Sequence, residues 1–129
     1  MKKQIYLNFQ FIKFIWIFLV IAGFSCAAFG ATFTVTKIAD TNDTVCNTDC
    51  SLREAIVAVN AAATDDIVNF DLTVFGTPQT IILGGTSLDI ENNGSLIING
   101  TGTNLLTVSG NIQSRAFNIG VGAILQSMV

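Results

Sequence analysis

Beyond Asp66 the apolar residues of this chain come in short alternations: Val68/Phe70, Ile81/Leu83, Leu88/Ile90, Leu96/Ile98, Leu106/Val108 and Phe117/Ile119. A spacing of two puts both members of each pair on one face of a strand. Between the pairs lie Gly84-Gly85, Asn92-Asn93-Gly94, Asn99-Gly100, Gly110-Asn111 and Gly120. Gly and Asn accept the left-handed backbone that a sharp corner requires. This half of the chain is thereby restricted to very short strands joined by tight turns. Two architectures meet that restriction. One is a parallel solenoid; the other is an antiparallel sandwich, in which Asn99-Gly100 would close a two-residue hairpin. The brevity of the strands favours the solenoid. So do the steps from Ile97 to Phe117 and from Ile82 to Leu106, about one coil in solenoids with 20–29-residue repeats.

The segment before it follows different rules. Thr32-Phe33-Thr34-Val35-Thr36 alternates as a half-buried strand would, with Phe33 and Val35 inward. Asp40 to Asp49 is a polar loop. Ser51 and Glu54 then stand at capping-box spacing, in which each side chain satisfies an orphaned amide of the first helical turn. Leu52, Ala55, Ile56, Val59 and Ala62 recur at helical spacing, which predicts one amphipathic helix over 51–62, the only helix expected in the mature chain. Stacked coils expose apolar interior at an open end unless a terminal element covers it. The helix suits that task, with Leu52, Ile56 and Val59 facing the first coil. Burying these three should contribute roughly 5–8 kcal/mol before entropy is subtracted.

The helix start carries a further signal. Cys50-Ser51-Leu52-Arg53-Glu54-Ala55-Ile56 resembles the signature of the CSLREA domain. That module lies near the amino terminus of large prokaryotic secreted and surface proteins, often just ahead of a right-handed parallel β-helix of the pectin-lyase-like kind. The resemblance implies a location and a mainly-β architecture with one capping helix. It implies no reaction.

The amino terminus has the form of an export signal. Lys2, Lys3 and Lys13 precede an apolar run from Phe14 to Phe24, about eleven residues, short for a membrane span but suited to a signal-peptide core. Ala28-Phe29-Gly30 fits the small-x-small rule, which places cleavage before Ala31, with Thr32 as the next choice. An uncleaved anchor is the competing reading, and lipid attachment at Cys26 is rejected because Gly23-Phe24-Ser25 is a poor lead-in. The chain thus divides into a signal peptide (1–30), a cap (31–66) and the first coils (67–129). Because Ser127-Met128-Val129 follow an apolar run, the natural protein is expected to continue. From residue 31 onward three basic residues (Lys37, Arg53, Arg115) face nine acids, a net charge of −6. Such a surface repels nucleic acid and anionic lipid, and no transmembrane span is expected after cleavage.

Few residues suggest chemistry. Cys46 and Cys50, exported together, should form a disulfide that braces the loop before the helix, contributing about 1–3 kcal/mol. A redox pair would normally have two intervening residues, and with no histidine or second cysteine pair a zinc site has no ligand set. Asp40, Asn42, Asp43 and Asp49 form a weak calcium candidate, since the spacing misses the usual loop motif and turn chemistry explains the same residues. Arg53 and Glu54 are given structural roles: Glu54 in the cap, at about 0.5–2 kcal/mol, and Arg53 in an ion pair with Asp40 or Asp43. Past Asp71 only Asp89, Glu91 and Arg115 are charged, too few to assemble a visible active site. The expected protein is therefore a non-catalytic, secreted or surface-displayed stalk or adhesin-like β-helix without a cofactor, binding glycan, matrix or other cells. Two alternatives remain: the amino-terminal part of a polysaccharide lyase or hydrolase whose site lies downstream, and a small secreted β-sandwich binding module.

Overall fold

A computed structural model describes residues 29–91 and 94–128. The leader through Ala28 and the Asn92-Asn93 pair lie outside them. Strands make up 31% of the chain and helices 14%, which places it among mainly-β proteins. In chain order the elements are β1 (Thr32–Val35), α1 (Leu52–Asn60), β2 (Asp66–Phe70), α2 (Leu72–Phe75), β3 (Gln79–Ile82), β4 (Leu88–Ile90), β5 (Ser95–Ile98), β6 (Leu106–Ser109), β7 (Phe117–Ile119) and β8 (Ile124–Met128).

Every strand pairing among the described residues is parallel. One sheet has the order β1-β2-β5-β8, a second pairs β3 with β6, and a third pairs β4 with β7. The chain thus returns to the same sheet at every third strand. Asp66 pairs with Leu96, Gln79 with Leu106, Leu88 with Phe117 and Ser95 with Ile124, so each circuit takes 27–30 residues. The expected steps from Ile97 to Phe117 and from Ile82 to Leu106 were therefore misplaced. Ile97 stacks on Ile67, and the residue beneath Leu106 is Gln79. Short alternations look alike in sequence, and a circuit of three strands with three corners is longer than one judged from neighbouring strands.

One corner corrects a second expectation. A helical turn, α2, follows β2, so α1 is not the sole helix. Asp71 starts it by accepting the Thr73 amide, and the amide of Gly76 closes it on the Leu72 carbonyl. What fixes the turn is Phe75, fully buried, with its ring 5.1 Å from Phe70 and nearly perpendicular to it. Edge-to-face aromatic pairs of this kind add about 0.5–1.5 kcal/mol beyond the area they bury. Nor does Asn99-Gly100 close a hairpin. The Asn99 amide donates to the Val68 carbonyl, and its side chain donates to Asn69 Oδ1 at 2.9 Å, one circuit below.

The core is the inward face of this winding. Val35, Val68, Phe70, Leu96 and Ile98 come from the four-stranded sheet, Ile81 from the second with Leu83 just past its end, Leu88 and Ile90 from the third. The period-two pattern places them there, since β2 alternates buried and half-buried residues along its length. Helix α1 packs on β4 and β1. Its Leu52, Ala55, Ile56 and Val59 are all buried, each with at most 2% exposure. It ends at Asn60, two residues short of the expected limit, and β2 begins at Asp66, one residue before the expected boundary. Among the described residues no helix is long and apolar enough to cross a membrane.

Candidate functional site: the charged cap

The charged residues of the cap converge on α1. Ser51, extended at φ −81°, forms a complete capping box: its hydroxyl accepts the Glu54 amide at 3.1 Å, and Glu54 Oε2 accepts the Ser51 amide at 2.7 Å. The Ser51 hydroxyl also donates to the Thr41 carbonyl at 2.7 Å. Glu54 does more than cap. It is fully buried, and its Oε1 accepts from the Thr41 hydroxyl at 2.9 Å and from the Asp43 amide at 3.2 Å. Lys37 Nζ lies 3.5 Å from its other oxygen and 3.1 Å from Asp49. Burial pushes the Glu54 carboxyl up. The Ser51, Thr41 and Asp43 donors and the Lys37 charge outweigh that push, leaving it below the ordinary glutamate value.

Arg53, the next residue back, points the other way. Its Nε and Nη2 grip the two oxygens of Asp40 at 2.8 and 2.9 Å, a bidentate fork. Two of its three remaining protons go to the carbonyls of Thr86 (2.9 Å) and Ser87 (3.1 Å). Asp40 Oδ2 in turn accepts the Gly84 amide at 2.8 Å. Burial raises the Asp40 carboxyl, but the Arg53 hydrogen bond, the Gly84 amide and the Arg53 charge bring it below the usual aspartate value. The pair therefore rivets the cap loop and helix onto the turn between β3 and β4. Of the two partners expected for Arg53, only Asp40 takes the role.

The other cap residues have local duties. Cys46 and Cys50 are bonded, with Cα atoms 4.5 Å apart. Cys50 is fully buried, and its backbone exchanges hydrogen bonds with Thr36 at the end of β1. The calcium candidates do not converge. Asp40 is held by Arg53, Asn42 and Asp43 accept the amides two residues on, and Asp49 meets Lys37. Among the described residues no group of three acidic, cysteine or histidine side chains is placed to hold a metal ion.

Two cavities lie beside the cap. A polar groove of about 250 Å³ runs between α1 and β4, lined by Asn42, Arg53, Asn60, Ser87, Asp89 and Glu91. Several of its polar groups are turned on one another. Asn60 donates to the Asp89 carbonyl at 2.6 Å and accepts the Glu91 amide at 3.0 Å, and the Ser87 hydroxyl donates to Asp89 Oδ1 at 2.8 Å. Hydrogen bonds from Ser87 and Asn118 hold the Asp89 carboxyl below the usual range. That suits a charged acceptor and opposes the raised value a general acid needs. The second cavity, about 300 Å³, is apolar, lined by Leu52, Phe70, Ile98, Leu106, Val108 and Phe117.

Reasoning from sequence missed Lys37, Thr41 and Asn60, because nothing local marks a residue whose partner is more than ten positions away. It also missed Asp66, 2% exposed on the inward face at the start of β2. Comparison with protein-family models, with curated proteins and with solved structures found no match to the chain.

Proposed function

We propose that the chain belongs to an exported, non-catalytic surface protein wound as a right-handed parallel β-helix, with a CSLREA-like module capping its leading end. It serves as a stalk or adhesin-like surface toward glycan, matrix or other cells. One observation carries the reading: three parallel sheets are rejoined at every third strand, with 27–30 residues per circuit. A chain that winds in this way stacks identical rungs and grows along one axis, which suits a spacer. The non-catalytic part rests on the cap. Arg53, Glu54 and Asp40 are held by structural partners, and in the groove the Asp89 carboxylate accepts from the Ser87 hydroxyl. A site for chemistry needs groups left over for substrate.

Expressed with its leader in a bacterial host, the protein should be recovered outside the cytoplasm, release no product from pectate or other polyuronates, and bind at least one class of surface on a glycan and matrix array. Product release overturns the non-catalytic assignment. Cytoplasmic recovery overturns export, and antiparallel neighbours in experimental coordinates overturn the architecture.

A further inference from the structure

Asp66 points inward at the start of β2, in line with the core residues Val68 and Phe70, and is 2% exposed. A carboxylate on an interior face is costly unless donors meet it. Two of its donors are known: the Thr64 hydroxyl and the backbone nitrogen of Ala31, both 2.8 Å from Oδ1. Ala31 is held at its other end too, since its carbonyl accepts the Ile67 amide at 2.9 Å. Among the described residues it is thus the first fixed to the sheet. Gly30, just before it, runs so close to the segment leading into β2 that a Cβ there would overlap the Asp65 carbonyl oxygen.

The nitrogen that meets Asp66 is the one that leader removal would free. We infer that Asp66 is the receptor for the α-amino group of the processed chain, so that cleavage between Gly30 and Ala31 completes the leading edge of the fold. This rests on the export reading above. In the cleavage, water adds across the peptide bond: the Gly30 carbonyl carbon takes the hydroxyl and the Ala31 nitrogen takes the hydrogen. At neutral pH that nitrogen gains a further proton, because a free α-amine titrates near 7.7–8.0. A neutral amide donor is replaced, in place, by an ammonium beside a buried carboxylate, and a charge-assisted bond is roughly twice as strong as a neutral one. Geometry also separates the two candidate starts. Beginning at Thr32 discards both Ala31 hydrogen bonds, whereas a start upstream of Ala31 leaves its nitrogen an uncharged amide.

The test has two arms. Mass spectrometry of the exported protein should find Ala31 first; a start at Thr32 or beyond, or a retained leader on exported protein, overturns the assignment. Next, the processed chain is compared with its Nα-acetylated form, each with Asp66 and with Asp66→Asn. The substitution should lower the melting temperature of the free-amine form by about 4–8 °C more than that of the acetylated form. The α-amine should titrate about one unit above its ordinary value and return to it in Asp66→Asn. Asp65, the other carboxylate at this corner, is exposed and bonded to Ser95, so Asp65→Asn should leave most of that rise in place. Equal melting shifts in both forms, or an ordinary α-amine, overturn the lock. Should Asp66→Asn fail to fold, the titration and the acetylation shift of the unsubstituted chain still decide. If the protein stays in the cytoplasm while the prepared chain shows the coupling, export fails and the lock stands.

Discussion

The cap and the second circuit (β5 to β7) are built from the same kinds of residue, yet they are sealed by different means. Around the cap, Leu52, Ile56, Val59 and Phe75 are buried, and the charged side chains reach one another through the loop from Lys37 to Cys50. In the second circuit Leu106, Val108 and Phe117 are only partly buried, Ile119 is half exposed, and Ile112 and Val121 stand fully in solvent. The difference lies in what each inward face meets. The first circuit has a helix on one side and a further circuit on the other. Much of the second meets the apolar cavity that Leu106, Val108 and Phe117 line. A strand pattern alone does not bury a residue; it buries one only where something covers the face it points to.

The largest expected effect tests that contrast directly. Phe75→Ala should cost about 3–5 kcal/mol, since it empties a fully buried site, whereas Phe117→Ala, at a half-buried one, should cost roughly half as much. Chemical denaturation measures both, and equal losses would erase the distinction.

The polar half of the contrast comes next. Glu54→Ala should cost about 2–4 kcal/mol, more than a simple cap, because the Thr41, Asp43 and Ser51 donors and the Lys37 charge are stranded together. Glu54 and Asp40 both titrate below their ordinary values in the fold. For a depressed carboxyl, the stabilisation is present above the unfolded value near 4 and is lost as pH falls through the folded value. Thermal melts from pH 7 to pH 2 should therefore show a stable plateau and then a decline beginning below about pH 5, shallower in Glu54→Gln. An unchanged slope in that variant would remove Glu54 from the account.

A smaller effect lies at the corner between β6 and β7. Asn111 and Ile112 both have positive φ, 52° and 61°. Asparagine tolerates that region; a β-branched side chain does not. Since Ile112 is fully exposed and has no packing to lose, Ile112→Gly should raise stability by about 0.5–1 kcal/mol, read from the denaturation midpoint. Destabilisation would mean that the isoleucine is supported by contacts the structure lacks.

How much of this was legible depended on distance along the chain. Ser51 and Glu54 are three residues apart, so helical geometry alone brought them together. The disulfide followed from four-residue spacing and the oxidising destination that the leader leads one to expect. Arg53 was readable as an ion-pair former, but the choice of Asp40 and the grip on Thr86 and Ser87 were not. Those partners lie 13 to 34 residues away and are delivered by the winding. Strands β1 to β7 were placed to within a residue or two, β8 was missed, and the stacking was misjudged, because alternation reports which face a residue occupies and is silent about which strand lies beside it.

By itself the sequence determined short strands, sharp corners, one capped amphipathic helix and an acidic surface, since each follows from local stereochemistry and charge. Only the tertiary structure decided the circuit length, the burial of Glu54, and the meeting of Ala31 with Asp66. Those depend on segments 13 to 35 residues apart arriving at one place, and a carboxylate becomes an interior group only when the fold removes water from around it.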